Sequence, residues 1–131
     1  MAYRKDWGNS PQIGGQGFAR TVKTIGRAVT ISAADSVSTN TVGAFTVPAG
    51  FTVTSIIVIS TALGSIAFTI GDSGSANRYL TTGVQSATNV TLATAGLLYK
   101  NTTETEVLIT IGTGAATAGT ITVYITGFID N

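Results

Sequence analysis

The most polar stretch of the chain is Gly71-Asp72-Ser73-Gly74-Ser75-Ala76-Asn77-Arg78, and its oxygen-bearing side chains at Asp72, Ser73, Ser75 and Asn77 are of the kind that bind calcium. A calcium loop needs about six to eight oxygen ligands, usually with a bidentate acid at its end. This stretch has one carboxylate, so a β-turn in which Asp72 and Asn77 bond local backbone is the expected structure, with Arg78 as a structural partner of Asp72 or of a neighbouring subunit's acid. Asp72, Glu104, Glu106 and Asp130 are the remaining material for paired-carboxylate chemistry. Glu104 and Glu106 would share one face of a strand at roughly 7 Å, but two acids beside an edge strand more often guard it against unwanted pairing. Gly14-Gly15-Gln16-Gly17 invites a phosphate-loop reading; no strand pattern precedes it and no lysine-serine pair follows at the required spacing. The sequons at Asn89 and Asn101 carry meaning only in a secreted protein.

The chain has no histidine and no cysteine. The first absence removes the usual general base near neutral pH and the commonest metal ligand, and the second removes thiolate ligands and disulfides. Zinc-hydrolase and serine-triad chemistry are thereby excluded. No catalytic residue, metal site or cofactor is assigned, and the chain reads as a non-enzyme.

The elements that would position any site fall into two unlike parts. Residues 1–27 hold Arg4, Lys5, Arg20, Lys23 and Arg27 against Asp6 alone, whereas residues 28–131 hold Arg78 and Lys100 against Asp35, Asp72, Glu104, Glu106 and Asp130. In the first part Gly8, Pro11, Gly14, Gly15, Gly17 and Gly26 interrupt any helix or long strand, which predicts an extended basic arm. Its apolar residues Tyr3, Trp7, Ile13, Phe18, Val22 and Ile25 are too many for a solvated linker, so the arm is expected to lie on a surface: its own domain, a neighbouring subunit or a partner. Arg20, Lys23 and Arg27 recur at intervals that suit phosphate contacts. Glycines bracket them and the charge is modest, so acidic protein surface is the expected partner and nucleic acid is not.

From residue 28 onward, short β-branched runs are broken by turn residues. Strands are expected near Ala28 to Ser32, Val42 to Val47, Phe51 to Ser60, Ile66 to Ile70, Arg78 to Thr81, Val90 to Ala93, Leu97 to Lys100, Glu106 to Gly112 and Thr120 to Ile129. Val107, Ile109 and Ile111 alternate with Glu106, Leu108 and Thr110. Ile121, Val123, Ile125 and Ile129 alternate with Thr122, Tyr124, Thr126 and Phe128, and Gly127 marks a kink or bulge. One face is core; on the other, Leu108, Tyr124 and Phe128 are candidates for burial against another subunit. The fold class is all-β, an antiparallel β-sandwich of jelly-roll type with an extended N-terminal arm. Charged residues make up 10% of the chain and the net charge is +1, a sparse surface that suits partial coverage by identical neighbours. The apolar runs are far short of the ~20 residues of a membrane-spanning helix, and Arg4-Lys5-Asp6 leads into Trp7-Gly8-Asn9-Ser10-Pro11, not into a signal-peptide core. Cytoplasmic synthesis without export or membrane insertion is the expectation.

Thr61-Ala62-Leu63 to Ile70-Gly71-Asp72, then Asn77-Arg78-Tyr79-Leu80, then Gly96-Leu97-Leu98-Tyr99, and Ala115-Ala116-Thr117-Ala118-Gly119 to Val123-Tyr124-Ile125 follow a pattern. A strand ends in GD, a polar turn leads to RYL, a turn precedes an aromatic, and a TAG hairpin enters the last strand. In this the chain resembles small β-rich structural proteins of tailed bacteriophages, of the head decoration or cement kind. The resemblance covers most of residues 50–129 and not the arm, and these motifs mark a fold, not an active site. It implies a homotrimer on the outer surface of the virion capsid, made in the host cytoplasm, with the major capsid protein as partner. In that setting the arm residues Tyr3, Arg4, Trp7, Phe18, Arg20 and Lys23 would engage the shell, and Leu108, Tyr124 and Phe128 would pack between subunits. Two alternatives remain at this point: a receptor- or carbohydrate-binding module of a phage tail or fibre, and a jelly-roll shell subunit of a small virus with the arm facing nucleic acid.

Overall fold

The computed structural model describes residues 22–35, 40–61, 63–64, 66–83, 89–112 and 118–129. Its strands are β1 (Val22–Ile31), β2 (Thr41–Val47), β3 (Phe51–Ser60), β4 (Phe68–Asp72), β5 (Ser75–Leu80), β6 (Asn89–Ala93), β7 (Thr105–Ile111) and β8 (Gly119–Ile129). They form two antiparallel four-stranded sheets, β1-β8-β3-β6 and β2-β7-β4-β5. First pairs with eighth, second with seventh, third with sixth and fourth with fifth. That is one long hairpin rolled into a sandwich, the jelly-roll topology.

The core lies between the sheets, and the period-2 alternation builds it. Ile121, Val123 and Ile125 of β8 face Val107, Ile109 and Ile111 of β7, all fully buried, with Phe51, Ile56, Phe68 and Ile70 filling the layer between. Burial of each such side chain contributes about 1.5–3 kcal/mol, which explains why β-branched residues at alternate positions suffice to set the sandwich.

Several boundaries differ from the sequence expectation, each for a tertiary reason. β1 starts at Val22, well before Ala28, because Lys23 to Arg27 pair with β8; Gly26, which reads as an interruption, lies opposite Tyr124 under its ring. β4 extends through Gly71-Asp72 and β5 begins at Ser75, so the polar stretch is a tight hairpin, not a loop. Leu97 to Lys100 is not a strand. Leu98 has φ of 65° and turns close at Leu97 N–H to Thr94 O and Tyr99 N–H to Gly96 O. The segment still runs beside β3, with Val53 N–H donating to Tyr99 O at 2.9 Å and Leu98 N–H to Val53 O at 2.8 Å. Gly127 is not itself the extra residue: the bulge sits opposite it on β3, between Val53 and Ser55. A Cβ on Gly127 would lie 2.0 Å from Thr52 O, so the close approach requires glycine there.

Candidate assembly surface

The chemically suggestive residues resolve into structure. Asp72, its side chain 3% exposed, accepts from Gly74 N–H and Ser75 N–H on Oδ1 at 2.9 Å each. Arg78 donates through Nε to Oδ2 at 2.5 Å and through Nη2 to Oδ1 at 3.2 Å. Burial alone would raise the Asp72 carboxyl, but the hydrogen bonds from Arg78, Ser75 and Gly74 together with the Arg78 charge outweigh it and hold the group below its ordinary range. The guanidinium lies over the Tyr99 ring at 4.0 Å, and Tyr99 meets Tyr79 edge to face with centroids 6.4 Å apart. Tyr79 is fully buried and donates its hydroxyl to Asn101 Oδ1 at 3.4 Å. Asn101 is 1% exposed. Asp72 thus fastens the β4-β5 hairpin to the turn that follows β6, and all its acceptor capacity is taken up internally.

Asp72 is committed to Arg78, Glu106 is on β7 with its carboxylate against Gly43, Glu104 precedes that strand, and Asp130 lies outside the described residues. Among the described residues no group of three His, Cys, Asp or Glu could hold a metal ion, and no helix is long and apolar enough to cross a membrane. A cleft of about 160 Å³ opens between the edge strands β5 and β6, lined by Tyr79, Leu80, Thr91, Leu92 and Ala93 among others, and no lining residue is charged.

The unusual chemistry lies instead on the outside of the β1-β8-β3-β6 sheet. The register aligns Leu92, Ile57, Tyr124 and Gly26 in one row across its four strands, and Val90, Ile59, Thr122 and Ala28 in the next. Leu92 is 69% and Val90 65% exposed, with Ile57 and Tyr124 also exposed. Of the seven large apolar side chains exposed among the described residues, Val22, Ile57, Val90, Leu92 and Tyr124 belong to this face; Leu97 and Leu98 sit in the turn after β6. No outward position of the four strands carries a charge, their polar groups being hydroxyls such as Thr24 and Thr126, whose oxygens meet at 2.8 Å; exposed Lys100, bridged to Thr52 of β3, stands beside them on the same face.

Of the three candidate interface residues, Tyr124 and half-buried Phe128 lie on this face. Leu108 does not join them: it lies on β7, on the outside of the opposite sheet, with Gly43 and Gly71 as its cross-strand neighbours. Lys23 is exposed within β1, while Tyr3, Arg4, Trp7, Phe18 and Arg20 lie outside the described residues. Sequence reading missed Ile57, Val90 and Leu92. The signal was present in β6, where large Val90 and Leu92 alternate with smaller Thr91 and Ala93, and the sheet turns the small pair toward the core.

No protein-family profile and no curated protein matches the chain. Among solved structures, a chain of the cyanophage Pam1 capsid asymmetric unit superposes with a TM-score of 0.72 at 26% identity, covering 88% of this chain and 90% of that one. A chain of the capsid of Ralstonia phage GP4 follows at 0.69 and 16% identity, covering 85% of each. The second likeness is one of fold. The resemblance to bacteriophage structural proteins seen in the GD, RYL and TAG segments is matched by these neighbours, with which this chain shares its jelly roll along nearly its whole length.

Proposed function

We propose that this chain is a non-enzymatic structural component of a phage virion, a decoration or cement protein that binds the outside of the assembled head as a homotrimer and uses residues 1–21 as a tether on the major capsid protein. The observation that carries this reading is the fold shared over 88% of this chain with a chain of a phage capsid. The site chemistry is in keeping with it: the Asp72–Arg78 ion pair fastens a hairpin, and among the described residues the exposed large apolar side chains gather on a sheet face, not in a pocket. A rigid sandwich of this kind acts as a clamp. A tether raises the effective concentration of a weak contact that is repeated at each subunit of the shell. Trp7 is the arm residue of greatest expected weight, since large aromatics dominate interface energetics.

The test is deletion of residues 2–21, which leaves β1 whole. Binding to heads that lack the protein should be lost while far-UV circular dichroism and unfolding midpoint stay unchanged. Undiminished binding would overturn the tether.

A further inference from the structure

We propose that residues 96–100, the turn that follows β6, seat the sandwich on the shell, with Leu98 entering an apolar socket of the major capsid protein. This seat rests on the head-binding reading above and is the contact of the body that the tether reinforces. Leu98 is the most exposed large apolar side chain among the described residues, at 77%, and the one non-glycine residue among them with a positive φ, at 65°. A Cβ is crowded in that region, so glycine or asparagine is what a bare turn favours there. Burial does not compensate the leucine, since most of its side chain stands in water. Strain retained beneath an exposed apolar group points to a contact outside the chain.

The turn is fixed from behind. Leu98 N–H donates to Val53 O at 2.8 Å, Val53 N–H to Tyr99 O at 2.9 Å and Asn101 N–H to Phe51 O at 2.9 Å, which zips the segment to the start of β3. Tyr99 lies under the Arg78 guanidinium, and a Cβ on Gly96 would meet the Tyr79 ring at 2.5 Å. A knob held in this way loses little conformational freedom on docking, so burial of one leucine is expressed almost fully as affinity.

Register identifies the occupant. Val22, Phe128, Thr52 and Lys100 form one row across the sheet, so residues 1–21 join β1 at the same end of the sandwich as the turn, three strand spacings or about 14 Å away. A tether reinforces a second contact only where both reach the same body. A shell that holds residues 1–21 therefore lies against this end, where Val22, Leu97 and Leu98 are the large apolar side chains exposed. Val90 is as exposed as Val22 but pairs with Ile59, six residues beyond Val53 and about 20 Å from the turn.

The experiment titrates heads that lack the protein with the full chain, as wild type, Leu98→Gly, Leu98→Asn and Val90→Thr, with bound protein measured by co-sedimentation. Glycine and asparagine both accept the positive φ, so the unfolding midpoint of either Leu98 variant should equal or exceed that of the wild type. Their apparent Kd for heads should rise about 10- to 100-fold, the equivalent of one buried leucine, while Val90→Thr binds as the wild type does. Wild-type affinity in the Leu98 variants, or an equal loss in Val90→Thr, would overturn the seat. So would a fall in native mass on Leu98→Gly by light scattering, which would place the turn between copies. Unchanged Leu98→Gly binding beside abolished binding on deletion of residues 2–21 leaves the tether standing without the seat, and the converse leaves the seat without the tether. A wild type that does not bind heads would overturn the head-binding reading and the seat with it.

Discussion

Replacing Asp72 tests whether the β4-β5 hairpin is held by one buried carboxylate. In Asp72→Ala, Arg78 loses both of its hydrogen bonds while its side chain remains only 23% exposed, and the N–H groups of Gly74 and Ser75 lose their acceptor. Removing one partner of a fully buried pair costs about 3–5 kcal/mol. Arg78 keeps the Tyr99 ring and some contact with water, and the turn amides can be hydrated, so the expected loss is at the lower end, about 3 kcal/mol. Asp72→Asn keeps an acceptor for the turn but no charge, and about 1–2 kcal/mol is expected. Urea unfolding followed by far-UV circular dichroism at neutral pH measures both. The pH dependence gives an independent check. The folded-state pKa of Asp72 is depressed, so its contribution is fully present above the unfolded carboxylate value and is lost as pH falls through the folded one. Wild-type stability should therefore decline between about pH 5 and pH 2 more steeply than that of Asp72→Asn. A loss below about 1 kcal/mol in the alanine variant, or parallel pH profiles, would refute the argument.

Two further perturbations follow from close packing and from burial. Gly127→Ala would set a Cβ 2.0 Å from the Thr52 carbonyl and break the β3-β8 pairing, whereas Gly26→Ala meets chiefly the exposed Tyr124 ring at 2.2 Å, which can swing away, with the Val123 carbonyl oxygen at a milder 3.1 Å. The first should cost more than about 3 kcal/mol or prevent folding and the second about 1 kcal/mol, as thermal unfolding would show. For Tyr79, burial pushes the phenol up, so its contribution is present below the ordinary tyrosine range and is lost as pH rises through the folded value. Alkaline unfolding should accordingly be shallower in Tyr79→Phe, monitored by circular dichroism through that range.

Much of this arrangement is legible in the chain because alternation is a local property. The bounds of β3 and the burial of Ile121, Val123 and Ile125 follow from β-branched residues at every second position. Periodicity separates inward from outward residues but carries no information on which sheet a strand joins, and this is why Leu108 and Tyr124, each outward, stand on opposite sides of the sandwich. Gly26 and the charges at Lys23 and Arg27 read as arm because pairing with β8 is a long-range contact that no local pattern encodes. In β6 the size rule inverts: Thr91 and Ala93 turn inward, beside the cleft that Tyr79 and Leu80 also line, and Val90 and Leu92 are left outside. The turn at Asp72 was legible because a single carboxylate in an oxygen-rich stretch is too few for a calcium loop and suits bonding to local backbone, as Gly74 N–H and Ser75 N–H show.

The two outer edges of the β1-β8-β3-β6 sheet are treated differently. On β1 the positions of inward parity near its start are Lys23, Ile25 and Arg27; Ile25 packs against the core, while the two cations are exposed and the Arg27 guanidinium reaches Ala44 O of β2 at 3.2 Å. Inward-pointing charges are a recognised guard against strand addition. β6 has none along Asn89–Ala93. The ten-residue edge at β1 is therefore guarded against strand addition by the charges at Lys23 and Arg27, whereas the shorter β6 edge has no such guard within the strand.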